Sequence, residues 1–236
     1  MLLTRRAVAE LVGTALLLVA VVGSGIAAQR LSPGDRGLEL LENALATGAA
    51  LVAIILAVGP VSGAHLNPVV SVVDAALGGM RWRDVPAYVA AQAAGGIVGV
   101  VVANLMFSLP AVTLSTHDRS GGGIWLGEAV ATFGLILLVF GIARSGRAAV
   151  APFAVGAYIT GAYFFTSSTS FANPAVSLAR MLSNSFAGIA PGSVALFVVF
   201  QAVGGAAAAA AVGLLYPHVA DSAADVVVPH AEEVRT

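Results

Sequence analysis

Apolar positions gather into long stretches separated by short polar connections. Six of them, roughly 6–28, 41–59, 85–107, 124–143, 149–167 and 193–216, supply the about 20 mostly apolar residues that cross a bilayer as a helix. Two further apolar pieces, after Asn67 and after Asn173, are too short to span. At about 10 residues and 1.5 Å per residue each reaches about half the hydrocarbon thickness, so they predict re-entrant half-helices. The expected fold is an all-α membrane protein of six transmembrane helices plus two re-entrant half-helices.

The pattern repeats. Glu10-Leu-Val-Gly-Thr14 opens the first span and Glu128-Ala-Val-Ala-Thr132 the fourth; Asn67-Pro-Val-Val-Ser71 begins one half-helix and Asn173-Pro-Ala-Val-Ser177 the other. Gln92-Ala-Ala-Gly-Gly96 lies in the third span and Gln201-Ala-Val-Gly-Gly205 in the sixth. Three matched motifs in the same order predict a single domain over 1–216 made of two repeats, about 5–107 and 124–216. Each repeat holds an odd number of spans, so the second is inverted relative to the first and the half-helices enter from opposite faces. Their N-termini then meet near the midplane. The glycines of the third and sixth spans and the alanine run 206–211 read as helix-packing residues.

Composition fits a bilayer solvent: 58% of the 236 residues are hydrophobic, 10% are charged, and mean hydropathy is +0.94. All eleven basic residues are arginine and the net charge is −1, which argues against a nucleic-acid partner. Cysteine is absent, excluding disulfides and thiolate chemistry. The first apolar stretch is longer than a secretory signal core, carries Glu10, and recurs in the second half, so it reads as a span. Seven arginines, Arg5, Arg6, Arg81, Arg83, Arg144, Arg147 and Arg235, fall on one side of this layout and four on the other. The positive-inside tendency then places both termini in the cytoplasm, with 217–236 as a polar cytoplasmic tail of a multi-pass protein of the plasma (inner) membrane. Ser115–Gly123 reads as a flexible outer connection.

Asn followed by Pro is a strong helix start, because Asn caps the first turn and Pro fills the first helical position without wasting a donor. Structure alone explains either copy. Duplication at membrane depth goes further, since irregular backbone survives there only around a cavity. If each Asn oxygen caps its own helix, the amide NH₂ groups of Asn67 and Asn173 face that cavity as donors, and the converging helix dipoles disfavour cations.

With Ser62-Gly-Ala-His-Leu-Asn67-Pro-Val, Phe171-Ala-Asn173-Pro-Ala and the paired glutamates, residues 5–216 resemble the aquaporin and aquaglyceroporin family, the major intrinsic proteins. The resemblance implies a homotetramer in the lipid bilayer with one pore per subunit, no cofactor, and Asn67, Pro68, Val69, Asn173, Pro174 and Ala175 as the pore motifs. It also places Thr47, Gly161, Ser170 and Val176 at the outer filter. Typical members carry arginine where this chain has Val176, and bulkier groups where it has Thr47 and Gly161, so a wide, uncharged constriction is expected. This pattern is similar to a bacterial subgroup associated with arsenic resistance. It implies a passive channel for water, glycerol-like polyols and neutral metalloids such as arsenous acid or methylated arsenicals; a general water channel is the alternative.

Arg180, four residues beyond Val176, shares its helical face. It either returns a positive charge to the outer vestibule or, more ordinarily, anchors a helix end at the interface. Glu10 and Glu128 have two readings: proton relay, or acceptors for the backbone of the re-entrant loops, which the resemblance favours. His65 at the cytoplasmic mouth is a pH-sensitive gate or, more simply, a pore-lining brace. Neither a Gly-x-Ser-x-Gly elbow nor a His-Glu-x-x-His zinc motif occurs, which argues against an enzyme. Buried charges are too few for an obvious ion-coupled transporter.

Overall fold

The computed structural model describes residues 2–216, and every regular element in it is a helix. The expected tail 217–236, with Arg235, lies outside the described residues. Two matched sets of four helices follow one another: α1 (Leu3–Leu31), α2 (Arg36–Ser62), α3 (Pro68–Ala76) and α4 (Val85–Met106), then α5 (Gly122–Arg144), α6 (Ala151–Phe165), α7 (Pro174–Arg180) and α8 (Pro191–Leu215). Short 3₁₀ turns lead into α4 and α6. Six of these segments are long and apolar enough to cross a membrane, and their bounds fall within a few residues of the predicted spans. The half-helices α3 and α7 are 9 and 7 residues long.

Local chemistry sets the ends. The Asp35 carboxylate accepts from Leu38 N at 3.0 Å and caps α2, which stops at Gly63, a left-handed residue (φ 86°) where glycine carries no side-chain clash. In both halves the first helix lies on the fourth, α1 on α4 and α5 on α8, whereas α1 packs on α2 far more extensively than α5 does on α6. A Cβ added to Gly95 or Gly99 of α4 would strike the Leu11 or Ala15 carbonyl of α1, and one on Gly204 of α8 would strike the Ala129 carbonyl of α5. Glycine is required there because the backbones approach that closely, and with no hydrophobic drive inside lipid, such contact is what joins membrane helices. Outward-facing Val98, Val102, Leu105, Phe153, Phe164, Val199 and Val203 leave an apolar perimeter.

The core cluster that joins both halves, including Leu18, Val22, Ile55, Ile136, Phe140, Ile159 and Phe197, surrounds the two half-helix starts. Of the expected flexible connection Ser115–Gly123, the part up to Arg119, together with Thr113 before it, is held in place. Thr113 N and Ser115 N donate to Leu182 O and Met181 O, and Ala190 N donates to His117 O. The expectation of flexibility rested on the Ser, Gly and charged residues of 115–123; backbone pairing and the Arg119 contacts described below hold 113–119 down.

Candidate functional site

Asn67 and Asn173 sit in extended backbone one residue before each half-helix. The Asn67 Oδ1 accepts from Val69 N at 2.9 Å, and the Asn173 Oδ1 accepts from Ala175 N at 2.9 Å and Val176 N at 3.3 Å. Each amide nitrogen then reaches across to the opposite loop. Asn67 Nδ2 donates to Ala172 O at 2.8 Å, and Asn173 Nδ2 donates to Leu66 O at 2.7 Å. Both asparagines line one cavity of about 70 Å³. Because one hydrogen of each amide is spent on the opposite loop, one donor per Asn, not two, remains for a passing oxygen.

The loops entering these helices share an unusual backbone. Ala64 and Leu66 have φ of 48° and 50°, and Ser170 and Ala172 both have φ of 50°, so the third and first residues before each Asn are left-handed. Non-glycine residues hold this conformation only where their surroundings enforce it. Here buried carboxylates do so by taking the loop amides. Glu10 accepts from His65 N (2.9 Å), Leu66 N (2.7 Å), Ser62 Oγ (2.7 Å) and Gln92 Nε2 (2.8 Å). Glu128 accepts from Phe171 N and Ala172 N, both at 2.9 Å, and from Gln201 Nε2. Gln92 and Gln201 also donate to Ser71 Oγ and Ser177 Oγ, which donate to the carbonyls of Asn67 and Asn173. All three pairs of repeated motifs therefore meet in two copies of one network. With their lone pairs occupied by loop amides, the glutamates hold backbone.

At one end of the cavity His65 lies in the wall, its Nδ1 3.0 Å from Ser71 Oγ and its Nε2 3.5 Å from the Asp74 carboxylate. Its ring packs on Tyr88, whose hydroxyl donates to Ser62 O and accepts from Arg6 Nε. At the other end Thr47, Ser170 and Val176 line the wall, all nearly inaccessible from outside. The Ser170 hydroxyl is buried without a partner among the described residues.

Gly161 does not join them. It is exposed, and a Cβ there would meet only the Phe165 ring, at 3.7 Å. The face of α6 turned to the cavity carries Val155, Ile159 and Tyr163, spaced by four. A residue two positions from both Ile159 and Tyr163 points to the opposite side of a helix. The resemblance places Gly161 by its position along the chain, whereas helical periodicity decides which residue faces inward. The residue across from Thr47 is thus Tyr163, with its hydroxyl 3.2 Å from Thr47 Oγ1. Where an open glycine was expected, a buried phenol stands.

The constriction is not uncharged either. Arg180 closes α7, is 2% exposed, and lines the same cavity rather than lying at an outer interface. Its Nε donates to Ala187 O, and its guanidinium carbon lies 3.4 Å from the centre of the Phe171 ring. A second guanidinium, Arg119, lies 5.1 Å from that ring, donating to Gly188 O at 2.8 Å and Phe186 O at 3.1 Å. Sequence reasoning passed over Tyr163 and Arg119. The four-residue spacing from Val155 was a readable signal for Tyr163; nothing local marked Arg119, because its partners lie 67 to 69 residues away.

Known proteins share this fold. The profile of the major intrinsic protein family matches residues 1–170. Over 208 residues the chain is 52% identical to the aquaglyceroporin AqpS of Rhizobium meliloti (strain 1021), covering 88% of each chain. It is 36% identical to aquaporin NIP3-1 of Oryza sativa subsp. japonica over 163 residues, which make up 67% of this chain and 51% of that one. The fold resembles the X-ray structure of the aquaglyceroporin from Plasmodium falciparum, with a TM-score of 0.71 over 92% of this chain and 99% of that one at 20% identity. Six spans, two half-helices meeting at paired Asn-Pro starts, and these likenesses together establish that the chain belongs to the major intrinsic protein family, whose members are channels and not enzymes.

Proposed function

We propose that this channel passes, besides water, glycerol-like polyols and neutral metalloid hydroxides such as arsenous acid and its methylated forms. One observation carries the reading: the cavity lining is mixed. Leu17, Val21, Leu51, Leu135, Val139 and Val155 supply aliphatic surface, while the Asn amides, Thr47, Tyr163 and Arg180 supply hydrogen-bonding groups among them. A solute that carries both hydroxyls and carbon or a bare metalloid finds partners for each, and Val176 adds apolar surface at the outer filter. Passive flux is supported by Glu10 and Glu128, the two fully buried carboxylates among the described residues, being occupied by loop amides. Tyr163 opposite Thr47 narrows this end and favours the second reading, a channel mainly for water.

Arginine-side counting and the apolar perimeter support the rest of the proposal: a homotetramer in the plasma (inner) membrane, termini in the cytoplasm, His65 at the inner mouth and Arg180 at the outer.

Stopped-flow swelling of purified proteoliposomes under water, glycerol, urea and arsenite gradients tests it. Non-saturating glycerol and arsenite flux, without need of a proton gradient, is expected; water flux alone would select the second reading. Val176→Arg should suppress the larger solutes and spare water, and unchanged conduction would place the barrier elsewhere.

A further inference from the structure

We propose that Arg180 is the charge-selecting residue of this pore, acting from one helical turn beyond the filter position that Val176 leaves without charge. The inference deepens the channel reading above and rests on it. Residues four apart on a helix share a face and stand about 6 Å apart along the axis, so Val176 and Arg180 border the same passage.

Three features separate Arg180 from a helix-end anchor. It is 2% exposed, where an interfacial anchor would reach outward. Among the described residues, the ion pairs formed engage Asp74 and Asp84, and none engages Arg180. Its support comes instead from Ala187 O, which takes the Nε hydrogen, and from the Phe171 ring, against which the guanidinium stacks. Phe171 is itself fixed, with its amide on Glu128 and its ring edge-on to Phe197 at 5.1 Å.

The two terminal guanidinium nitrogens have no protein acceptor among the described residues, and neither is sealed from water. Four N–H donors on a fixed plane are therefore presented to the cavity. Arg119 is the informative contrast. It lies over the same ring, but its donors go to Gly188 O, Phe186 O and Thr169 Oγ1, so it holds the 186–188 segment and adds positive potential without offering itself to a solute.

A cation without an ion-pair partner in a narrow, low-dielectric passage repels Na⁺ and hydronium, while its planar donors bind neutral solutes that present oxygens along one edge. Because Arg180 lines the same cavity as Thr47, Tyr163 and Ser170, charge exclusion and hydroxyl recognition fall on a single side chain.

The test uses full-length protein in proteoliposomes. Na⁺ leak and proton leak are followed with entrapped dyes, glycerol flux by light scattering, and folding by size exclusion. Arg180→Leu and Arg180→Gln should each raise cation leak about tenfold or more, Arg180→Lys should keep leak low while weakening glycerol flux, and Val176→Arg combined with Arg180→Leu should restore exclusion. Folded Arg180→Leu and Arg180→Gln with wild-type leak would overturn the proposal. So would wild-type vesicles leaking cations well above protein-free ones, a measurement that needs no variant. A wild type that passes no neutral solute would instead sink the channel reading, and would leave the leak comparison standing.

Discussion

At the residue scale, the site depends on groups that look interchangeable in sequence and are not. Gly161 and Tyr163 are two positions apart, yet they face opposite sides of α6. Tyr163→Ala should raise glycerol flux relative to water by widening the gap beside Thr47, while Gly161→Ala should leave both unchanged; paired swelling rates decide, and equal effects would put the cavity face of α6 elsewhere. Glu128 is less forgiving. Replacing it by Leu strands the amides of Phe171 and Ala172, and each unsatisfied buried donor costs about 1–3 kcal/mol. Glu128→Leu should therefore lower the melting temperature in detergent far more than Glu128→Gln, which keeps one acceptor oxygen. Similar melting for the two would mean that the loop is held by other contacts.

At the scale of elements, close approach and backbone pairing do the holding. Gly95 has the Leu11 carbonyl where a side chain would go, so Gly95→Leu must push α4 from α1, and overpacking costs about 1–3 kcal/mol or more. Loss of monodisperse protein is expected for Gly95→Leu, with Gly122→Ala, which meets open space, as the tolerated control. The outer segment should respond to acid. Burial first, then the neighbouring Arg119 and Arg36, hold the His117 imidazole below its usual range. A lowered folded value means the unfolded chain binds the proton more readily, so His117 favours the fold at neutral pH and ceases to do so as pH falls below about 6.5. Faster amide exchange across 113–119 at pH 5 than at pH 7, after correction for intrinsic rates, is the expected readout, and His117→Gln should abolish the difference. Element existence was readable because bilayer thickness sets span length and Asn-Pro announces a helix start. The order in segment 113–119 was not, because Thr113 and Ser115 find their partners at Leu182 and Met181, far along the chain.

For the whole molecule, the internal repeat was the most informative sequence feature, and it foretold more than topology. The Gln92 and Gln201 motifs, noticed only as a matched pair, prove to be the donors that tie Glu10 and Glu128 to the serines of the half-helices. Charge at the filter was misjudged for a corresponding reason: a vacancy at position 176 is visible in the sequence, but the burial of Arg180 depends on the Ala187 carbonyl and the Phe171 ring, which only folding brings together. The reciprocal bonds from Asn67 to Ala172 and from Asn173 to Leu66 also bear on how the protein is made. While the ribosome has delivered only the first repeat, the Leu66 carbonyl and one Asn67 hydrogen lack these mates, so the paired starts cannot form until the second repeat follows. Completion of the passage is thereby a late, single event in biogenesis, and a chain released before Asn173 emerges has nothing with which to close it.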